Sequence, residues 1–291
     1  MGCVNQRVTG LAALVAAASV LVAACGGPDE PAPTTSSRPA ESATLKRITD
    51  RGKIIIGLRA DAPGLAHRNP VSGEYTGFEV ALGQLIATGL GLSPQQVTFT
   101  QLTPDTALPS VAAGAVDIFL GGATADRAQQ AGLFTAGPYL TAGLGLLYRK
   151  AGPSVTDAST ASGRKVCTVS NSPEQALARD AKLTDPEKLV TSTSIGDCVD
   201  ELGSGAVDAV ADFLPVVTGY AAADPNNLAV SALAAPKPVD YVIALPGGDT
   251  GLKERLTRII RTAVTDGTWQ RDYDQTLGPA GPKPGPPSIP S

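Results

Sequence analysis

Gly114-Ala115-Val116-Asp117-Ile118-Phe119-Leu120 and Gly205-Ala206-Val207-Asp208-Ala209-Val210-Ala211 open with the same four residues and run on into apolar ones. Each copy follows a helical pattern, with Leu108, Val111 and Ala112 before the first and Ile195, Cys198, Val199 and Leu202 before the second. A glycine closes both helices, because it takes the left-handed conformation that ends a helix at no steric cost. The apolar run after each Asp then reads as a short buried strand of a parallel sheet. Helix, glycine and strand in the same order twice predict two similar α/β lobes. Ligands of open α/β sheets lie outside the carboxyl ends of the strands. That rule makes Gly121, Gly122, Ala123 and Thr124 from the first copy, and Ala211 and Asp212 from the second, candidates for one cleft.

The rest of the chain fits around this pair. Lys53-Ile54-Ile55-Ile56-Gly57-Leu58 is a buried first strand, and the turn-rich Arg59-Ala60-Asp61-Ala62-Pro63-Gly64 follows at the ligand end of the sheet. Val80, Ala81, Leu82, Leu85 and Ile86 mark a helix that stops at Gly89, and 97–100 is a second strand. An apolar run covers 142–148. Val166-Cys167-Thr168-Val169 opens the second lobe, and Ser172 with Pro173 signals a helix start. Such a helix terminus offers free N–H groups to an anion, although capping alone explains Ser172 equally well. A strand at 228–230 and an apolar run at 242–245 precede a helix from Leu252 with Leu256, Ile259, Ile260 and Ala263 inward. A last helical turn puts Trp269 and Tyr273 on one face, and a Pro-rich tail follows.

Composition narrows the function. The 291 residues are 43% apolar and 17% charged, an ordinary globular balance. A net charge of −4 without a Lys/Arg cluster excludes nucleic acid as a partner. Aromatics make up 4%, so few rings are free to stack on a ligand, and Trp269 reads as packing. Apart from Cys3 and Cys25 in the N-terminal segment, two Cys and one His without ligand spacing make no metal site, and no cofactor is implied. The first 24 residues read as a signal peptide whose apolar stretch, 11–24, is too short to span a bilayer. Its end, Val22-Ala23-Ala24-Cys25, resembles the bacterial lipobox, which implies cleavage before Cys25 and a lipid on its thiol. Residues 25–44 are then a disordered tether rich in Pro, Ser, Thr and Ala. With Cys3 lost and Cys25 lipidated, Cys167 and Cys198 remain as an expected disulfide outside the cytoplasm.

Taken in order, Gly73-Glu74-Tyr75-Thr76-Gly77-Phe78-Glu79-Val80, Ala206-Val207-Asp208-Ala209-Val210-Ala211-Asp212 and Asp266-Gly267-Thr268-Trp269 resemble the type II extracellular solute-binding proteins of family 3 that serve polar amino acid importers. The Asp61-Ala62-Pro63-Gly64-Leu65 loop and the Cys167/Cys198 pair are similar to the glutamate-type lipoproteins of actinobacteria. The resemblance implies an α/β fold of two lobes joined by two crossover hinges. Projected here, lobe one is 45–137 plus 242–278, lobe two is 144–235, the hinges are 138–143 and 236–241, and 279–291 is a disordered tail. It implies a monomer that closes on one ligand, such as glutamate, aspartate or glutamine, and presents the closed form to an ABC permease and its ATPase. The place would be extracytoplasmic, at the membrane through the lipid.

In such proteins a carboxylate matching Asp212 holds the α-ammonium, and an Arg beyond the position matching Thr124 holds the α-carboxylate. An acid at a strand end suits an ammonium through charge-assisted hydrogen bonds. Gly122 and Thr124 would add backbone and hydroxyl donors, with Asp61, Ser170 and Ser172 completing the expected ligand set. The family pattern sets the Arg five residues after the Thr, where this chain has Gln129. Either Arg127 supplies the clamp through a two-residue deletion or the clamp is gone. Ala107 stands where glutamate-type relatives carry a further Arg, and Asn171 and Pro173 where Gly and Thr are common. Arg59, Arg68 and His67 could compensate, or be solvated surface residues. Two rival readings keep the same fold: a ligand sensor without transport, and a lyase-type enzyme. A single His and no assembled triad argue against catalysis.

Overall fold

The computed structural model describes residues 42–234, 236–278 and 285–290. The signal peptide, the lipidation at Cys25, the tether up to residue 41 and the tail at 279–284 and 291 lie outside the described residues. The order of elements begins α1 (Ala43–Arg51), β1 (Ile54–Leu58), β2 (Asp61–Ala62), β3 (Ala66–Arg68), β4 (Tyr75–Thr76), α2 (Phe78–Gly89) and β5 (Val97–Gln101). It continues α3 (Pro104–Ala112), β6 (Ile118–Phe119), α4 (Ala125–Gln130) and β7 (Phe134–Ala142). Next come β8 (Leu144–Arg149), α5 (Ala158–Ala161), β9 (Val166–Val169), α6 (Pro173–Asp180), β10 (Leu189–Ser192), α7 (Ile195–Ser204) and β11 (Ala209–Phe213). The chain ends through α8 (Leu214–Ala223), β12 (Leu228–Ala232), β13 (Val239–Leu245), α9 (Thr250–Thr265) and α10 (Thr268–Thr276).

Two five-stranded sheets form, in the orders β5-β1-β6-β13-β7 and β10-β9-β11-β8-β12. In both, the first three strands are parallel and the last two run antiparallel to their neighbours. The strands of the repeated motif, β6 and β11, are the middle strands of their own sheets. The expected parallel sheets are therefore mixed ones, with each middle strand parallel to one neighbour and antiparallel to the other. A third, three-stranded sheet joins β2, β3 and β4.

The repeat has one physical cause in both lobes. Gly114 (φ 71°) and Gly205 (φ 83°) take the left-handed turn after α3 and α7. The Asp three residues later then ties the middle strand to its parallel neighbour. Asp117 Oδ2 accepts the Ile55 N–H at 2.8 Å, and Asp208 Oδ2 accepts the Lys165 N–H at 3.0 Å. Asp117 is fully buried and also paired with Arg47 and Arg51.

Alternation along the strands fills both faces of each sheet. Ile54, Ile56 and Leu58 join a core cluster that also takes in Val210 and Phe213 of the other lobe. Ile55 packs instead with Ala107, Val111 and Phe119, and Ala209 and Ala211 with Leu144 and Leu146. Cys167 in β9 and Cys198 in α7 form a disulfide, with 5.6 Å between their Cα atoms.

Three readings change. The apolar run read at 142–148 is the end of one strand and most of the next, and the first of these, β7, starts at Phe134 and runs through Gly137-Pro138. Its pairing with β13 shifts register opposite this point, so a proline without an N–H is tolerated there. Residues 42–44, expected in the tether, belong to the fold: helix α1 starts at Ala43 because Ser42 caps it, and the Ser42 hydroxyl and Thr44 N–H both donate to Asp249. In the tail, Ile289 packs on the core and Pro290 O accepts from Arg261, so 285–290 are folded.

Replacing Asp117 by Ala is expected to lower the unfolding free energy by about 2 kcal/mol, the scale of hydrogen bonds to a charged group. Asp208→Ala, at a more exposed position, should cost about 1 kcal/mol. Urea midpoints of the two variants check this, and an unchanged midpoint for Asp117→Ala contradicts it.

Candidate ligand-binding site

The carboxyl ends of β1, β6, β9 and β11 converge. After β1, Ala60 takes φ 56°, a left-handed conformation that costs a non-glycine residue about 1–2 kcal/mol. Asn171, after β9, does the same at φ 56°. The turn at Ala60 accompanies a buried Arg59, only 7% exposed, whose guanidinium crosses to the second lobe. There Nη1 donates to Glu174 Oε1 at 2.9 Å and Nη2 to Asp212 Oδ2 at 3.4 Å. On its own side, Nε lies 3.5 Å from Asp61 Oδ1. Glu174 follows Pro173 at the start of α6, Asp212 lies near the end of β11, and both are fully buried. Asp212 Oδ1 also accepts the Phe213 N–H at 2.7 Å.

Behind this cluster lies a third buried acid, Glu79. Tyr139 OH donates to Glu79 Oε1 at 2.5 Å and accepts the N–H groups of Gly121 and Gly122 at 3.2 and 3.4 Å. Burial pushes the Glu79 carboxyl up to about 7, against the lowering effects of the Tyr139 hydrogen bond and the Arg59 charge. Burial and then the Glu174 charge raise Asp212 well above the usual carboxylate range, with Arg59 opposing them. For Arg59, burial acts to lower its pKa, and the charges of Asp61, Asp212 and Glu174 overturn that and leave it raised. The guanidinium stays charged. Glu174 Oε2, Glu79 Oε2 and Tyr241 OH are buried without a hydrogen-bond partner.

Little space remains. A cavity of about 30 Å³ lies among Arg59, Ala107, Phe119, Gly122, Arg127 and Pro173. A second, of about 10 Å³, lies among Arg59, Ala66, Glu79, Gly121, Val216 and Tyr241. Outside, an open groove of about 630 Å³ has Thr124, Asp126, Arg127, Asn171, Ser172 and Pro173 among its walls. Arg127 borders both the inner cavity and this groove, whereas Gln129 is exposed and borders neither.

Of the residues expected from sequence, Asp61 and Asp212 meet at Arg59, and Gly122 and Arg127 border the inner cavity. Gly122 does not offer the free donor expected, because its N–H is bonded to Tyr139. Thr124 caps α4 without a side-chain bond and faces the groove. Ser172 Oγ donates to Val169 O and accepts the Gln175 N–H, which is the capping role. Ser170 extends the β9–β10 pairing through its N–H to Ser192 O and borders none of these three spaces. Sequence reasoning missed Glu174, Glu79 and Tyr139, and left Arg59 open between a compensating cation and a solvated surface residue. The available signal for Arg59 was a charge set directly after a buried strand. Arg68 instead lies over the Tyr75 ring, and His67 pairs in β3 with Asp61. Among the described residues no group of His, Cys, Asp and Glu is placed to hold a metal ion.

A carboxyl raised on folding binds its proton more tightly in the folded state. The stability it contributes is complete below its unfolded pKa of about 4.3 and is lost as pH rises through its folded value. For Glu79 that window ends at about 7, and Asp212 acts with the same sign. The unfolding free energy is expected to fall by about 3 kcal/mol or more across it. Urea unfolding at intervals from about pH 5 to pH 8 measures the slope, which Glu79→Gln should reduce. A flat profile in the unaltered protein contradicts it.

Residues 54–279 match the family model described as bacterial extracellular solute-binding proteins, family 3. The chain is 24% identical over 273 residues to the ABC transporter glutamine-binding protein GlnH of Bacillus subtilis (strain 168), covering 94% of this chain and 97% of that one. It is 23% identical to the glutamate-binding protein GluB of Corynebacterium efficiens, covering 80% of this chain and 82% of that one. Among solved structures, the amino acid ABC transporter substrate-binding protein AbpA of Streptococcus pneumoniae Canada MDR_19A, bound to L-arginine, superposes with a TM-score of 0.71. That match has 24% identity and covers 81% of this chain and 98% of the other, so it speaks to the fold alone. With two lobes of matching topology, their strand ends meeting at one charged gap, and a family model spanning most of its length, this chain belongs to family 3 of the bacterial extracellular solute-binding proteins.

Proposed function

We propose that the protein is the substrate-binding component of an ABC importer for a small amino acid, tethered outside the cytoplasm by a lipid on Cys25. It hands its ligand to a permease and ATPase. The observation that carries the reading is Asp212, a buried acid near the end of the middle strand of one lobe, facing the other lobe. A carboxylate so placed suits an α-ammonium, since charge-assisted bonds there are made away from water. Arg127 supplies the opposite charge from α4, and its place between cavity and groove favours it over Gln129 for the α-carboxylate. The relatives named for glutamine and glutamate support an amino acid as the class of ligand. The lobes, 45–137 with 242–278 and 144–235, turn about 138–143 and 236–241 as hinges.

The test is a thermal-shift screen of the chain from residue 26 onward against the common amino acids. A ligand at 100 times its Kd adds about 2.7 kcal/mol of stability. At least one amino acid should raise the melting point. Asp212→Ala should abolish the shift, and Arg127→Ala should weaken affinity about 10- to 150-fold, the loss of one charge-assisted bond. If no amino acid shifts the melting point the ligand class is wrong, and if Arg127→Ala binds normally its role as the clamp is wrong.

A further inference from the structure

Arg59 stands where an incoming cation has to go. Its guanidinium satisfies one oxygen of Glu174 and one of Asp212, the acid read above as the ammonium acceptor. Arg59 and Gly121 border both small cavities, of about 30 and 10 Å³, so the side chain stands between the two spaces. Both are far smaller than ordinary ligand pockets, which measure about 300–1,000 Å³. Glu174 Oε2 and Tyr241 OH, both buried, have no hydrogen-bond partner beside it. Three carboxylates, Asp61, Glu174 and Asp212, surround this single guanidinium.

We propose that Arg59 is a tethered occupant of the solute's cation seat, and that Glu174 makes this a seat of two carboxylates. Solute binding is then an exchange of cations. The solute's positive group takes the carboxylates of Asp212 and Glu174, and Arg59 withdraws from them. The surplus of buried negative charge ranks solutes by their own charge: cationic amino acids first, neutral zwitterions next, acidic amino acids last. Occupation by Arg59 also lowers the apparent affinity, because the vacated seat is a minor state of the free protein. The inference rests on reading the gap as the ligand site.

Two measurements on the Arg59→Ala variant test it. The first is thermal unfolding with millimolar methylguanidinium, against sodium chloride at equal ionic strength. Methylguanidinium should raise the melting point of Arg59→Ala, leave the unaltered protein unmoved, and help the Arg59→Ala/Glu174→Gln double variant less. If Arg59→Ala is unfolded in buffer, the probe must restore its native circular dichroism. No effect of the probe on Arg59→Ala overturns the proposal.

The second is calorimetric titration with L-arginine, L-glutamine and L-glutamate. Arg59→Ala should bind L-arginine at least about tenfold more tightly than the unaltered protein does. Glu174→Gln should narrow the preference for L-arginine over L-glutamate. Loss of affinity in Arg59→Ala, or tightest binding of L-glutamate by the unaltered protein, overturns the proposal. If no amino acid binds any variant, the importer reading falls, and the methylguanidinium measurement still decides the seat.

Discussion

A buried charge must be paired, and the pairing of Arg59 with Glu174 and Asp212 across the two lobes is what the rest of the structure turns on. Removing one partner of such a buried cluster typically costs 3–5 kcal/mol, because it strands the others away from water. Parting the lobes would therefore require hydrating these groups, and on the proposal above a solute enters by re-pairing them. Other contacts make the closed arrangement close-fitting. Tyr220 OH donates to the Asp61 carbonyl at 2.6 Å, and the rings of Phe213 and Tyr241 meet edge to face at 4.8 Å. At Gly219 a Cβ would lie 1.9 Å from the Pro63 carbonyl oxygen. Only glycine lets α8 approach the first-lobe loop so closely.

The lobes share a plan and divide the chemistry. Each has a left-handed glycine, an Asp that fastens the middle strand to its parallel neighbour, and a left-handed non-glycine residue following that neighbour. The division lies in the loops added to that plan. The first lobe brings the cations Arg59 and Arg127, together with Asp61. The second brings Glu174 and Asp212, the two acids that Arg59 spans. Such a split makes closure itself the event that brings opposite charges together, which is how a two-lobed receptor couples binding to a change of shape.

Much of this was legible in the sequence because it is local. The repeated Gly-Ala-Val-Asp, the 3.6-residue spacing before it and the apolar run after it locate both middle strands, and the strand-end rule then points to Asp212. What stayed hidden is either irregular or distant. Strand β7 carries a Gly-Pro pair that reads as a break. Glu174, an acid in the first turn of a helix, reads as an ordinary partner of the helix dipole. It is buried, and its partner Arg59 is 115 residues away in the chain, so no local pattern records that pairing. Ser172 fits two roles in sequence, and the geometry of its hydroxyl shows the capping one.

The most direct test is a crystal structure of the protein with whichever amino acid raises its melting point most. The account predicts the ligand's ammonium within hydrogen-bond distance of Asp212, with the Arg59 guanidinium withdrawn from both Asp212 and Glu174. A ligand bound elsewhere while Arg59 still spans the two acids would contradict it.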